Sequence, residues 1–177
     1  VWFELENGDR AIAWTTTPWT LPANSALAVN PNMVYLRMQD TDGAVYVIAE
    51  SRLRAYEKQF ANTTEVGRIT GAELAGMHYT PLFPYYAGQS DLLYQVIPAD
   101  YVSDSDGTGI VHIAPAYGAD DFWAAKNIDA KFPVLLNVDA YGNFTDEVVD
   151  FAGQNIFAAT PAILEWLKSN GRLVKKE

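Results

Sequence analysis

The stretch GIVHIAPAYGADDFWAAKNI, residues 109–128, joins a strand-like run to a helical pattern. Residues 109–113 are apolar and strand-like, whereas Pro115 and Gly118 interrupt regular structure. Residues 119–128 then follow with a helical pattern. The sequence therefore predicts a strand, a loop and a helix in that order.

The flanking sequence predicts several short strands and a few helices. Two hairpins are indicated by strand-like runs around turn residues: 1–5 and 11–17 around Asn7-Gly8-Asp9, and 33–38 and 44–48 around Asp42-Gly43. A further strand is expected at residues 92–98, after a Gly- and Pro-rich, mostly irregular segment at 67–88. Helices are expected at three places: 51–60 with Ser51 as N-cap, a turn near 72–75, and a last helix that opens at Thr160-Pro161 and stops before Gly171.

This combination of many closely spaced short strands with few helices is typical of the α+β class. We therefore expect a closed or strongly curved, mainly antiparallel β-barrel decorated by short helices. A chain of about 150 residues or more can bury roughly 70% of its unfolded surface, which is enough for one core. Residues 1–177 are accordingly expected to form a single domain. Because the chain begins at Val1 rather than Met, we also expect it to be a piece of a longer protein.

Composition and charge exclude several functional classes. The chain has 12 Lys and Arg against 22 Asp and Glu, a net charge of −10, which argues against an autonomous nucleic-acid binder. It contains no Cys, so disulfides and thiolate metal sites are excluded and a reducing compartment is suitable. No apolar run approaches the roughly 20 residues that cross a bilayer, so we expect a soluble protein.

The first polar cluster is AWTTTPWTLPAN, residues 13–24. In a strand, successive side chains alternate, so Thr15 and Thr17 would share one face and Thr16 the other. Pro18 ends regular pairing, which would gather the hydroxyls at a strand end. Several short hydroxyl side chains can hold a small polar ligand or a water, although threonine is also common in strands for packing alone.

The second polar cluster belongs to the strand and helix at 109–128. His112 is expected near the end of the strand, and Asp120 and Asp121 in the first helical turn, where the helix dipole favours an ionised carboxylate. A histidine in an apolar stretch is more often structural, and aspartates at a helix start are more often caps. Composition and spacing alone therefore support a small-ligand site lined by Thr, His and Asp.

Other catalytic and ligand-binding motifs are excluded because the residues that they need are absent or wrongly spaced. His78 and His112 lie far apart in a chain without Cys, which gives no metal motif. No Ser lies in a G-x-S-x-G pattern, and residues 107–109 (GTG) are too short for a dinucleotide or phosphate loop. Asp120 and Asp121 would point roughly 100° apart on a helix, which disfavours a two-carboxylate hydrolase.

The two polar clusters together resemble the editing domain of isoleucyl-tRNA synthetase, the insertion that splits the catalytic domain of that class I enzyme. The matching motifs are WTTTPWTLPAN at residues 14–24, GTGIVHIAP at 107–115, and the pair Asp120-Asp121. The related valyl and leucyl editing domains look like T-T-R-P-[ED]-T in the first motif and lack this histidine. Thr17 and His112 therefore favour the isoleucyl member, with a match that is loose only over residues 40–90.

In that family the domain hydrolyses the ester of valine wrongly attached to isoleucine tRNA. An isoleucine pocket cannot exclude valine strongly, because one methylene is worth only about 1–3 kcal/mol; isoleucyl-tRNA synthetase is itself the standard example of this limit. The resemblance thus implies a second sieve that admits valine and rejects isoleucine. It implies no cofactor in this domain, because ATP and Mg²⁺ belong to the synthetic domain of the full enzyme.

The resemblance also implies a role for each matching residue. Asp121 would grip the α-ammonium of the substrate, and His112 would bound the valine side chain and block the extra methylene of isoleucine. Thr16 and Thr17 would lie at the ester and the attacking water, so that they and Asp121 form the catalytic set without a covalent nucleophile. The resemblance also implies that the wall of the pocket and the contacts to the terminal adenosine of the tRNA are formed by Thr15, Trp19, Thr20 and Asn24.

The implied partners are the 3′ CCA end of tRNA(Ile) carrying valine and the remainder of the synthetase polypeptide. The net negative charge then argues only against autonomous binding of nucleic acid. The domain need accept only a single-stranded end, while the enzyme body supplies most phosphate contacts. We expect a monomeric fragment, cytoplasmic and without membrane contact. The alternatives are a valyl- or leucyl-type editing domain, a non-catalytic module that binds aminoacyl-adenosine or an amino acid, and a purely structural insertion.

Overall fold

The computed structural model describes residues 1–176, which form two sheets flanked by short helices. The strands are β1 Trp2–Leu5, β2 Arg10–Ile12, β3 Ala26–Val29, β4 Val34–Gln39, β5 Val45–Ala49, β6 Thr64–Thr70, β7 Tyr79–Thr80, β8 Gln95–Pro98 and β9 Ile110–Ile113. The α-helices are α1 Gly71–Leu74, α2 Ala119–Ile128 and α3 Ile156–Ser169, and 3₁₀ helices span Pro18–Ala23 and Glu50–Tyr56.

Both sheets are open and mixed. The larger has the order β6-β4-β5-β2-β1-β7 and the smaller β8-β3-β9. The pairs β2–β5 and β3–β8 are parallel, whereas the other strand pairs are antiparallel. The structure is α+β, but the expected closed or strongly curved, mainly antiparallel barrel is wrong. Closure would require β6 to pair with β7, and these two strands are instead the edges of the larger sheet.

Both predicted hairpins are present. β1 pairs with β2, and β4 with β5, in antiparallel register. Gly8 and Gly43 sit in the connecting turns with φ of 87° and 89°, a conformation that glycine adopts without a Cβ penalty. The second strand of the first hairpin ends at Ile12, however, so the predicted continuation to residue 17 is wrong.

The larger sheet buries side chains on both faces because successive residues of a strand alternate. Phe3 and Tyr35 point into the main core, which also takes in Ile163 of α3. Their chain neighbours Trp2 and Leu36 point the other way, into a smaller apolar cluster. The sheet therefore forms a layer between the two clusters.

The smaller sheet places the functional residues, and its central strand β3 has no counterpart among the predicted strands. β3 lies between β8 and β9, and all four of its residues are buried. A strand buried on both faces has no apolar–polar alternation, so its sequence lacks the period of two. The edge strand β6 is likewise outside the predicted strands.

Two helix predictions are confirmed in position and one fails at its cap. The helix expected at 119–128 is α2, and the turn expected near 72–75 corresponds to α1. The segment 51–60 contains a 3₁₀ helix that begins at Glu50, so Ser51 is not its N-cap.

The last helix, α3, begins before its predicted start. Asn155 is the N-cap, and its side-chain oxygen accepts a hydrogen bond from the Phe157 N–H at 3.1 Å. Thr160-Pro161 lies within the helix instead, where proline leaves one carbonyl without its usual donor. Gly171 follows the helix end with φ of 66°, as predicted. None of the helices in residues 1–176 is long and apolar enough to cross a bilayer.

Candidate functional site

Residues 15–17, which we call the threonine segment, lie beside β9 and have irregular backbone. Trp14 forms a single parallel bridge with Val111 of β9, and the chain then leaves the sheet for the first 3₁₀ helix. The hydroxyls of Thr16 and Thr17 lie 3.3 Å apart, and Thr15 Oγ1 accepts the Thr17 N–H at 3.0 Å. The predicted strand alternation of these threonines is therefore wrong, because no strand contains them.

A cleft of about 380 Å³ connects the threonine segment to β9 and α2. It is bordered by seven of the predicted site residues: Thr15, Thr16, Thr17, Trp19, Thr20, His112 and Asp121. Trp14, Val111, Ala114 and Tyr117 complete its lining. The Trp19 and Tyr117 rings meet edge to face, with centroids 5.0 Å apart. Residues from two distant parts of the sequence thus share one concave surface.

Asp121 lies in the first turn of α2 and faces back towards the end of β9. Its Oδ2 accepts a hydrogen bond from the Ala114 N–H at 2.8 Å. Burial raises the pKa of this carboxyl, while the bond from Ala114 acts in the opposite direction. The predicted position of Asp121 in the first turn of the helix is confirmed. The neighbouring Asp120 is exposed and is not among the residues that border the cleft.

His112 forms a fixed part of the cleft wall. It is 6% exposed, with Nε2 2.9 Å from Thr20 Oγ1 and Nδ1 2.8 Å from Asn24 Nδ2. Burial lowers the pKa of the imidazole to about 3, so the ring is neutral near pH 7. A neutral ring held at both nitrogens presents an uncharged surface that cannot rotate away without breaking two hydrogen bonds.

Asn24 lies behind His112 rather than on the cleft surface. Its side-chain oxygen accepts from the Tyr79 hydroxyl at 2.6 Å, and its amide nitrogen also donates to the Ala26 carbonyl at 3.0 Å. Tyr79 is the part of this arrangement that sequence reasoning missed. It lies within residues 40–90, where no motif marks it, and only the folded structure brings it to Asn24.

A second cavity, of about 400 Å³, shares Thr15 and Thr16 with the cleft. Its walls include Leu164 and Leu167 of α3 and Leu173 of the segment that follows. The two threonines therefore border both cavities, of which the second is the more apolar.

Comparisons with solved structures define the class of this fold. GlLeuRS-CP1 superposes with a TM-score of 0.77 at 18% identity, covering 95% of this chain and 84% of that one. The P. knowlesi cytosolic leucyl-tRNA synthetase editing domain gives a TM-score of 0.69 at 15% identity, with 92% and 83% covered. At these identities the likeness establishes the fold alone, which is that of these leucyl-tRNA synthetase domains.

Sequence relatives show to which synthetase the chain is similar. The chain is 42% identical over 164 residues to isoleucine–tRNA ligase of Chlamydia muridarum, covering 92% of this chain and 16% of that protein. It is 41% identical over 178 residues to the Corynebacterium diphtheriae enzyme, with 96% and 17% covered. No protein-family model matches. The chain belongs with the isoleucine–tRNA ligases and spans about one sixth of the length of these relatives.

Proposed function

We propose that this chain is the editing segment of an isoleucine–tRNA ligase and hydrolyses the ester of valine attached to tRNA(Ile). The observation that carries the proposal is the single cleft bordered by the threonines, His112 and Asp121. Its partners are then the 3′ CCA end of the mischarged tRNA and the rest of the synthetase. A cytoplasmic location agrees with a Dictyostelium discoideum relative, 42% identical over 173 residues, described as a probable cytoplasmic isoleucine–tRNA ligase.

In this proposal Asp121 binds the α-ammonium of the aminoacyl group. The bond from Ala114 occupies only part of the acceptor capacity of a carboxylate, which leaves room for an ammonium donor. An ammonium at this position also lowers the pKa that burial has raised, since an opposite charge favours the ionised form. The contact is then charge-assisted and holds the ester in one orientation.

His112 supplies the size limit. Its ring is neutral and therefore does not repel the ammonium, and its two hydrogen bonds resist the displacement that a larger side chain would require. An extra methylene against a rigid wall produces a clash, whereas the smaller valine fits. The second sieve therefore rejects isoleucine by sterics rather than by charge.

Thr16 and Thr17 position the attacking water. Their adjacent hydroxyls offer donors and acceptors within 3.3 Å of each other. The water oxygen bonds to the ester carbonyl carbon, the bond from that carbon to the ribose oxygen breaks, and the ribose oxygen takes up the proton that the water loses, so that valine leaves as the free acid. Because an aminoacyl ester is already activated, orientation of the water suffices and we propose no metal, cofactor or covalent nucleophile in this segment.

The test is deacylation of Val-tRNA(Ile) and Ile-tRNA(Ile) by this chain and by a full-length ligase that contains it. Asp121→Ala should abolish hydrolysis of Val-tRNA(Ile), whereas Asp120→Ala removes a neighbouring but exposed carboxylate and should retain it. His112→Ala should extend hydrolysis to Ile-tRNA(Ile). Equal losses at Asp120 and Asp121 would contradict the assigned ammonium site.

The same assay separates the alternatives. A non-catalytic binding module would bind a non-hydrolysable valyl-adenosine analogue and leave both esters intact. A leucyl- or valyl-type editor would show a different order of substrates when other mischarged tRNAs are compared. Because the net charge is −10, the isolated chain should bind tRNA more weakly than the full ligase does.

A further inference from the structure

Four buried side chains form a continuous hydrogen-bonded series behind the cleft, which we call the His112 chain: Tyr79, Asn24, His112 and Thr20. Each is 6% exposed or less. Buried polar groups are costly unless each donor faces an acceptor, so the protons in such a series cannot be placed independently. Their positions follow from the chemistry of the two ends.

The first half of the chain fixes the orientation of the Asn24 amide. Burial holds the pKa of Tyr79 well above its usual value, so its hydroxyl keeps its proton and donates to Asn24 Oδ1 at 2.6 Å. On the other side, Asn24 Nδ2 donates to the Ala26 carbonyl, which has no proton to give. The rotated amide would place its oxygen against the Ala26 oxygen and its NH₂ against the Tyr79 hydroxyl.

The second half fixes the tautomer of His112. Asn24 Nδ2 is a donor, so His112 Nδ1 must accept and carries no proton. In the neutral ring the proton is then on Nε2, which donates to Thr20 Oγ1 at 2.9 Å. The Thr20 hydroxyl in turn donates a hydrogen bond to the Thr17 carbonyl at 2.8 Å. The series therefore runs in one direction, from the core to the backbone of the threonine segment.

We infer that the His112 chain locks His112 in the Nε2-protonated tautomer and couples it to the threonine segment, with Tyr79 as a positioning residue. The opposite tautomer would set an Nδ1–H against the Asn24 NH₂ and leave Nε2 to take the Thr20 proton. The Thr17 carbonyl would then lose the bond from the Thr20 hydroxyl and keep only the one from the Thr20 N–H at 3.1 Å. The tautomer stands on the hydrogen-bond geometry and the neutral state of the buried ring, whereas its effect on water positioning by Thr17 rests on the proposed function.

The tautomer can be measured directly, because the chain contains only two histidines. In ¹⁵N-labelled protein near neutral pH, His112 should show an unprotonated Nδ1 and a protonated Nε2 in long-range ¹H–¹⁵N spectra, and His78→Gln assigns the signals. Asn24→Asp replaces the donor at Nδ1 by an acceptor, so Nδ1 should gain a proton. A wild-type His112 protonated at Nδ1 would overturn the inference.

Tyr79→Phe tests the positioning role and keeps the ring contacts with Phe3 and Tyr94, at 5.3 and 6.1 Å. We expect the His112 nitrogen signals to shift or broaden, and kcat for Val-tRNA(Ile) hydrolysis to fall about tenfold with KM changed less than about twofold. Tyr94→Phe is the matched control, because Tyr94 is buried in the same aromatic group outside the His112 chain.

The outcomes separate the two proposals. If Tyr79→Phe and Tyr94→Phe give the same His112 signals and the same kcat, Tyr79 has no positioning role. If Asn24→Asp does not fold, the wild-type spectrum and Tyr79→Phe still decide the matter. If the predicted tautomer is found but no ester is hydrolysed, the proposed function fails while the His112 chain is supported.

Discussion

A Cβ placed on Gly118 would lie 2.9 Å from Cγ of Asp121, closer than a Cβ approaches another side chain in folded proteins. The Gly118 backbone has φ of −139°, an extended conformation that any residue adopts, so the glycine is required by the carboxylate and not by the backbone. Gly118→Ala should therefore fold but displace Asp121. We expect the rate of Val-tRNA(Ile) hydrolysis to fall roughly tenfold to hundredfold, since small displacements at a positioned group have effects of that size.

The matched control is Gly67→Ala on the edge strand β6. A Cβ at this position would meet Arg37 Nη1 at 3.5 Å, an ordinary van der Waals contact, and lie outside the cleft. This variant should retain activity. If both alanine variants deacylate at the wild-type rate, the close approach of residue 118 does not control the Asp121 carboxylate.

Asp121→Asn should separate stability from activity. Burial raises the pKa of Asp121, so the native chain keeps this proton to a higher pH than the unfolded chain does. Its contribution to stability is thus lost as pH rises through the native pKa. Asparagine retains an oxygen for the Ala114 N–H but cannot ionise, so above that pKa the variant should be at least as stable as the wild type, although inactive.

Urea unfolding at several pH values measures this difference. The two proteins should have similar unfolding free energies at a pH below the unfolded pKa of about 3.9, where the aspartate is protonated in both states. The unfolding free energy of the Asn variant should increase relative to that of the wild type as the pH increases towards neutrality. A variant that becomes progressively less stable over that range would show that the ionised carboxylate stabilises the fold.

The elements that were predicted correctly are those fixed by neighbouring residues. The turns at Gly8 and Gly43 determine both hairpins, and the pattern of residues 119–128 is sufficient for α2. The parallel pairing of β2 with β5 is absent from the predictions, because it depends on distant contacts and has no local signature. The barrel expectation was wrong because counting short strands does not reveal which strands become edges.

The candidate site shows the same division. The motifs identify Thr16, His112 and Asp121 as candidate site residues, and in the structure all three border one cleft. No motif predicts that burial raises the pKa of Asp121, since burial depends on how β9 and α2 pack. Nor does any motif mark Tyr79, whose position at Asn24 follows from the fold.

The start of α3 can be tested by two alanine variants. Asn155→Ala removes the side chain that accepts the Phe157 N–H, and loss of an N-cap costs about 1 kcal/mol of unfolding free energy. Thr160→Ala changes a residue inside the helix, whose hydroxyl donates to the Ile156 carbonyl, and should change stability by less than about 0.5 kcal/mol. Urea unfolding of both variants provides the comparison. The reverse order of effects would place the helix start at Thr160.

His112 should make the stability of the chain depend on pH below neutrality. Burial lowers its native pKa to about 3, whereas an unfolded histidine titrates near about 6.5. As the pH falls below about 6.5, the unfolded chain binds a proton that the native chain does not, so the unfolding free energy decreases. The slope for this one group approaches about 1.4 kcal/mol per pH unit until the native pKa is reached.

The measurement is the unfolding free energy of wild type and His112→Gln from about pH 7 to about pH 5. Glutamine cannot take up the proton, so the advantage of the wild type over this variant should shrink as the pH falls. His78→Gln makes the same substitution at the other, exposed histidine and is the matched control. Parallel curves for wild type and His112→Gln would mean that His112 accepts a proton in the folded chain, which is incompatible with a neutral ring held between Asn24 and Thr20.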